Sequence, residues 1–378
     1  MPSISQQQFG NQVTSEVDAG LTRLVQKLST RRGLHHVSLA VSSADGRRHW
    51  AGASGPADTT EPQVRPEAPF FIASITKRFI VTLALQAHER GELDLDAPIS
   101  TYLPASVTTG LHVRRGVDRT AQITVRHLAS HTSGLPDFLE RRRGAPSLYR
   151  QARAGHDISW TFDDVLDITR NQQRPHFDPQ DLNATTQRAR YSDTGYQLLL
   201  RILEAVTGRT FPDLLAERIT GPLGLTGTWH PAAAPADPDL PAPLPLHVRR
   251  RRVDFAKVIA SADDLYSTTT DLLAFERALV AGEPFADPNT RHLLTERRNR
   301  LSNAPVLRYG LGTMFFKVNR LMSPLPKPVT LVGHSGSTGT WLFTCPELDL
   351  HLAGTVDQTV AKGLPFRIMA ACLRIWAS

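Results

Sequence analysis

The sequence predicts a mixed α/β chain, with one sheet assembled from both ends of the polypeptide and a mainly helical lobe between them. Three observations carry the prediction. Residues 36–55 read as a strand, a turn and a returning strand; helical periods dominate from about 75 to 300; and the pattern reverts to strands after 305. This gives an α/β lobe of about 1–73 plus 305–378 and a helical lobe of about 74–304, within one domain spanning 1–378. A crevice between two such lobes is the expected place for a small-molecule site.

Each element has its own signal. "TSEVDAGLTRLVQKLSTRRG" spaces Val17, Leu21, Leu24, Val25 and Leu28 on one helical face, with Ser15 as the expected N-cap and Gly33 beyond the end. "HVSLAVSSADGRRHWAGASG" alternates, turns at Asp45-Gly46 and returns, a hairpin pattern. Helical periods follow in "ITKRFIVTLALQAHERG", "TGYQLLLRILEAVTG", "FPDLLAERI" and "TTTDLLAFERALVAG". The proline-rich "PAAAPADPDLPAPLPL", 231–246, predicts an extended surface loop. Strands return in "GLGTMFFKV", "VTLVGHSG", "GTWLFTCP" and "LDLHLAGTV", and a last helix is expected over roughly 359–377.

Composition narrows the function classes. The formal charge is +7, carried by 37 arginines and only six lysines. The densest basic runs, "RRR" at 141–143 and "HVRRRRV" at 247–253, sit in no zinc-finger, RRM or basic-zipper pattern and have no interleaved aromatics. They read as solvated loops, and no nucleic-acid partner is expected. No apolar run approaches the ~20 residues that cross a bilayer, so no membrane partner is expected either. "MPSISQQQFG" has neither a basic n-region nor an apolar h-region, which gives cytoplasmic as the expected location. Cys345 and Cys372 form no C-x-x-C or Cys/His array, so two buried free thiols are expected and no zinc signature is present.

The chemistry begins at "FFIASITKRF", where Ser74 stands three residues ahead of Lys77. An extended segment gives way to a helix at Ser74, so its backbone N–H lies near a helix N-terminus that favours developing negative charge. One turn on, Lys77 shares its face. A serine hydroxyl needs a base close by, and lysine can serve where arginine cannot, because only lysine can lose its proton. A capping serine and a surface lysine would give the same spacing. Two further stretches decide between the readings. "RARYSDTGYQLLLRILE" puts Tyr191 and Asp193 just before another apolar helix, and "TLVGHSGSTGTWLF" puts His334, Ser335 and Gly336 on a strand running into Ser337.

Ser-x-x-Lys, then Tyr-Ser-[Asn/Asp], then [Lys/His]-[Ser/Thr]-Gly, in that order, resembles the penicillin-recognising serine hydrolases: class C β-lactamases, DD-peptidases and related esterases and transacylases. "GELDLDAPISTYLP", "ITVRHLASHTSGLPDF" and "ITGPLGLTGTWH" resemble connecting segments of the same superfamily, and the match runs from about residue 34 to 378. The resemblance implies a β-lactamase/transpeptidase-like α+β fold, an antiparallel sheet flanked by helices beside an all-helical lobe. It implies that Ser74 is acylated, that Lys77 is its base or proton relay, and that the Tyr191 phenol exchanges protons with Ser74 and the leaving group. The backbone N–H groups of Ser74 and Ser337 would form the oxyanion hole, with Ser335 and Gly336 lining the substrate groove. His334 would bond Tyr191 or a substrate carboxylate, its charge varying near pH 6–7. No metal or organic cofactor is implied.

One departure is specific to this chain. Asp193 stands where the familiar members carry asparagine; an ionised carboxylate can only accept, and it would raise the pKa of Lys77. That weakens the case for an efficient β-lactamase or DD-peptidase and favours an ester, an amine-bearing substrate or an acyl-carrier donor. The class A alternative, with Ser192 as relay in "SDT", is rejected because Tyr191 is present and the third motif begins with histidine. His127 and His131, four apart, read as structural, the lone Gly-x-Gly of "GLGTMFF" is no dinucleotide loop, and Asp263-Asp264 needs no glycosidase reading. The expected function is a serine hydrolase, an esterase or amidase acting on a small acyl substrate through acyl-Ser74. A transacylase, a DD-peptidase or weak β-lactamase, and a non-catalytic binding protein are the alternatives.

Overall fold

The computed structural model describes residues 4–55, 64–320, 322, 325, 327–361 and 363–377, the first helix by its backbone alone as far as residue 15. Helix α1 (Ile4–Ser29) leads into strands β1 (Val37–Ser43) and β2 (His49–Ser54), and α2 (Thr76–Glu89) follows. The later elements that concern the site are α3 (Asp193–Thr207), α4 (Thr269–Ala281), β3 (Asn299–Arg300), β4 (Leu307–Tyr309), β5 (Met314–Val318), β6 (Val329–Ser335), β7 (Thr340–Cys345), β8 (Leu350–Thr355) and α5 (Leu364–Trp376). All eight strands form one antiparallel sheet, ordered β2-β1-β8-β7-β6-β5-β4-β3, so both ends of the chain do meet in one sheet.

Strand alternation explains the layers. Leu39, Val41, Trp341, Phe343, Leu350 and Leu352 face one way and pack against Val17, Leu21 and Val25 of α1 and Ile368, Met369 and Leu373 of α5. Ala40, Leu342 and Ala353 face the other way, toward α2 and α4, where Phe79 and Phe275 stack with ring centroids 3.8 Å apart. Small side chains on that face let two helices lie close to the sheet.

Several expectations are corrected. Ser15 lies inside α1 and not at its N-cap, because the helix begins at Ile4. The final helix starts at Leu364, after Gly363 and with Pro365 in its first turn, instead of near 359. The "HVRRRRV" run is not a plain loop: Leu246–Val248 and Arg251–Val253 pair as a hairpin whose arginines point to solvent while His247 is buried. Helix α4, expected in the helical lobe, lies on β1, β7 and β8. Cys345 and Cys372 are buried free thiols, as expected.

Helix α2 runs between the sheet and the helical lobe and is buried from Thr76 to Ala87. Arg78, on this buried stretch, reaches both carboxylate oxygens of Glu276 on α4 at 2.8 and 2.7 Å and donates to Thr313 Oγ1 at 2.9 Å. Both charged groups are almost wholly out of water, 3% and 0% exposed. Removing one partner of such a pair leaves a bare buried charge, whereas replacing both with apolar groups does not. Glu276→Ala is therefore expected to lower unfolding free energy in urea by about 3–5 kcal/mol. The double variant Arg78→Met/Glu276→Leu should recover most of that loss; equal losses in the two variants would show that the charges are not coupled.

Candidate active site

Ser74 sits in a single 3₁₀ turn, Ala73–Ile75, that feeds α2. Ala73 is in the left-handed region at φ 48°, a conformation that costs a non-glycine residue about 1–3 kcal/mol and that tends to persist where function needs it. The turn is clamped from the sheet side. Thr338 Oγ1 donates to the Phe71 carbonyl at 3.2 Å and Thr340 Oγ1 to the Ile72 carbonyl at 3.0 Å. Gly336 makes the approach possible: a Cβ there would lie 2.1 Å from Thr340 Oγ1 and 2.6 Å from the Ile72 carbonyl oxygen. The third motif thus brings the end of β6 against the serine turn.

Lys77 donates to Ser74 Oγ at 3.2 Å and lies 2.5 Å from Asp193 Oδ1 at the start of α3. Burial alone would depress its pKa, but the charge of Asp193, with Tyr191 and Asp264 behind it, holds the ammonium well above the ordinary lysine value. The Tyr191 hydroxyl is buried without a hydrogen bond of good geometry, although Lys77 and Ser74 are near enough to pull its pKa down. Burial prevails over both and keeps the phenol protonated. Ser192 is turned away, its hydroxyl donating to the Pro136 carbonyl at 2.9 Å, which removes the class A relay.

His334 does not do what the resemblance implied. Its ring is fully buried, with Nε2 2.9 Å from the Tyr309 hydroxyl and Nδ1 2.9 Å from the Ser335 carbonyl, and it bonds neither Tyr191 nor the open groove. Nδ1–H donates to that carbonyl, so Nε2 accepts from Tyr309. Burial, then the neighbouring Lys77, push its pKa well below 6.5, so it stays neutral across the range in which it was expected to titrate. Ser335, Gly336 and Ser337 do line the cavity. Ser335 Oγ points to Met314 Sδ at 3.5 Å.

Sequence reasoning missed four side chains here. Asp137 is buried against the backbone amides of Leu139 and Asp193, and burial raises its pKa well above the usual carboxylate range. Asp264 reaches the same cavity, its pKa pushed up to about 6 by burial. His131, set aside with His127 as structural, packs its ring 4.3 Å from that of Tyr191 and accepts from the Ser192 amide at 3.2 Å. Tyr309 joins it, 4.4 Å away, and anchors His334. His127 caps a short helix from Thr124, so neither histidine of the pair is placed as a metal ligand. No local pattern marks these residues: His131 and Asp137 come from one loop, Asp264 from the segment after another short helix, and Tyr309 from β4.

The cavity has a volume of about 440 Å³. Ser74, Lys77, Tyr191 and Asp193 form one wall; Phe71, Phe138, Trp160, Phe255 and Ile259 form an apolar recess beside it. The beta-lactamase family model matches residues 21–364. The chain belongs to that family. Penicillin-binding protein 4* of Bacillus subtilis (strain 168) is 24% identical over 84% of this chain and 66% of its own length. Esterase EstB of Burkholderia gladioli is 29% identical over 52% of this chain and 48% of its own. The chain thus spans about half to two thirds of the length of these curated relatives. The D-amino acid amidase of Ochrobactrum anthropi SV3, solved with L-phenylalanine amide, shares the fold with a TM-score of 0.72 and 23% identity, over 95% of this chain and 98% of that one. The chain accordingly has the beta-lactamase fold that its motif order implied.

The Tyr191 hydroxyl separates stability from chemistry. Because it is buried with no well-made hydrogen bond, Tyr191→Phe should change unfolding free energy by less than about 1 kcal/mol. Turnover of a p-nitrophenyl ester should nonetheless fall roughly 10²–10⁴-fold if the phenol carries protons to the leaving group. Full turnover in this variant would remove Tyr191 from the relay.

Proposed function

We propose that the protein hydrolyses a small ester or amide that carries an ammonium group and a bulky apolar substituent, through an acyl-Ser74 intermediate. One observation carries this reading: the cavity beside Ser74 combines an aromatic recess with an excess of carboxylates, in a protein whose overall charge is +7. Asp137, Asp193 and Asp264 line it together with Glu140, which is paired to Arg190, against Lys77 and Arg153. A substrate ammonium entering this space lowers the pKa of Asp137 and Asp264 and meets charge that burial alone disfavours. The neighbouring recess accepts an aromatic or branched group by desolvation.

In the reaction, Ser74 Oγ attacks the substrate carbonyl, and the backbone N–H groups of Ser74 and Ser337 receive the oxyanion. The proton of Ser74 passes to Lys77 in its amine form, and the Tyr191 phenol returns a proton to the leaving alcohol or amine as the carbonyl re-forms. Water then attacks acyl-Ser74, its proton travels back through the same groups, and the acid and free serine are released. Asp193 governs the first step. By stabilising the ammonium it keeps the fraction of amine small at neutral pH, so the rate rises toward alkaline pH.

Covalent labelling and ester kinetics test this. Intact mass spectrometry after a fluorophosphonate should show one adduct, on Ser74, absent from Ser74→Ala; labelling that survives in the variant would move the nucleophile elsewhere. Asp193→Asn should shift the alkaline-going limb of the ester pH–rate profile to lower pH, because Lys77 loses the charge that raises its pKa. The same substitution should lower kcat/KM for a free-amine amino acid ester about tenfold relative to its N-acetyl counterpart. For the unmodified protein, the preference for the free amine should weaken as pH falls through about 6, where Asp264 takes up a proton. Equal turnover of free and N-acetylated esters would defeat the ammonium assignment while leaving the nucleophile standing.

A further inference from the structure

Outside the active site, His36, His247 and Asp357 converge although more than a hundred residues separate each from the next in sequence. One donor atom from each lies within 4.8 Å of the other two, and all three residues are 1–3% exposed. His36 Nδ1 is 3.0 Å and His247 Nδ1 3.6 Å from Asp357 Oδ2. In a tetrahedral site with bonds of about 2.0–2.2 Å, neighbouring ligand atoms stand about 3.4 Å apart, a value these two separations bracket.

The hydrogen bonding is incomplete without a further group. Asp357 has a carboxylate of 0% exposure, yet Oδ1 has no partner and no lysine or arginine pairs with it among the described residues. His247 Nδ1 also lacks a hydrogen bond, since 3.6 Å is too long for one. Its ring is held in place from the other side by His35, stacked at 4.0 Å and 8°. A left-handed backbone at Asp357, φ 55°, turns its carboxylate into this position. Buried carboxylates are normally paired or ligated, and imidazole with carboxylate is a donor set that suits zinc-like ions.

The geometry points to a divalent transition-metal site of the zinc class built from His36, His247 and Asp357. The ion would tie the approach to β1, the 246–253 hairpin and the segment after β8 into one unit. That unit already shares backbone bonds, His247 N–H to the Asp357 carbonyl at 3.2 Å and Thr359 N–H to the His247 carbonyl at 3.0 Å. Leu246 and Thr359, next to these residues, line the substrate cavity, so the ion would stiffen one of its walls.

The test uses the full chain, stripped with a chelator, titrated with zinc chloride and desalted before elemental analysis. One tightly held zinc per chain is expected, with a rise in melting temperature, and cobalt(II) should give the visible bands of a low-coordinate site. His247→Gln and Asp357→Asn should each weaken zinc affinity at least tenfold and abolish the zinc-dependent rise, with circular dichroism confirming that the variants are folded. Should a variant fail to fold, stoichiometry and the cobalt spectrum of the unmodified chain decide. No retained zinc in that chain, or equal retention by folded variants, overturns the site.

Discussion

Two adjacent cations on a helix buried from Thr76 to Ala87 constrain everything around them. Lys77 and Arg78 follow one another on α2, and neither has access to bulk water, being 4% and 3% exposed. A charge in that position must be paired or it neutralises at a large free-energy cost. Consecutive helical residues point about 100° apart, so their partners must come from different elements. Asp193 arrives on α3 from the helical lobe, and Glu276 on α4 from the layer against the sheet. The relative placement of α2, α3 and α4 follows from satisfying both charges at once, and Ser74, one turn before Lys77, is positioned by the same requirement.

The identity of the first partner sets the chemistry. A carboxylate at 193 holds Lys77 as an ammonium, whereas an amide would leave burial to depress it. Position 334 compounds the effect. A lysine there, as the resemblance implies for many relatives, would supply a second positive charge; His334 is neutral, buried and committed to Tyr309 and the Ser335 carbonyl. The groove is thereby left with more carboxylates than cations, the feature on which the proposed ammonium substrate rests. His334 is better described as a positioning residue for Tyr309, which in turn packs on His131 and through it on Tyr191.

How much of this was legible in the sequence depended on whether the signal was local. Alternation in "VTLVGHSG" and "GTWLFTCP" gave the strands, and three short motifs in order gave Ser74, Lys77, Tyr191 and Asp193 as one site. The effect of Asp193 on Lys77 was also foreseeable, because it needs only Coulomb's law and proximity. The surroundings of α4 were not legible: periodicity shows that a helix has an apolar face but not which layer covers it. Asp137, Asp264 and His131 gave no signal because their meaning comes from contacts between distant segments. His334 was misread for a different reason. Successive residues on a strand point to opposite faces, and Ser335 lies opposite Trp341 while His334 lies opposite Leu342. Alternation shows only that Ser335 and His334 are not turned alike; which of them meets the groove is decided by packing from distant segments.

The sign of the overall charge and that of the groove oppose each other, and distance decides which a substrate responds to. At physiological ionic strength exposed charges are screened over about 8 Å, so the arginines at 249–252 act only near their own surface. The carboxylates of the groove stand a few ångströms from any bound molecule, in a medium that screens much less. A cationic substrate would feel little of the +7 at long range and most of the carboxylate field once inside. The basic composition therefore does not argue against an ammonium ligand. Among the described residues that line the groove, Lys77 is the one lysine, and it differs from the arginines in one respect, the ability to give up a proton.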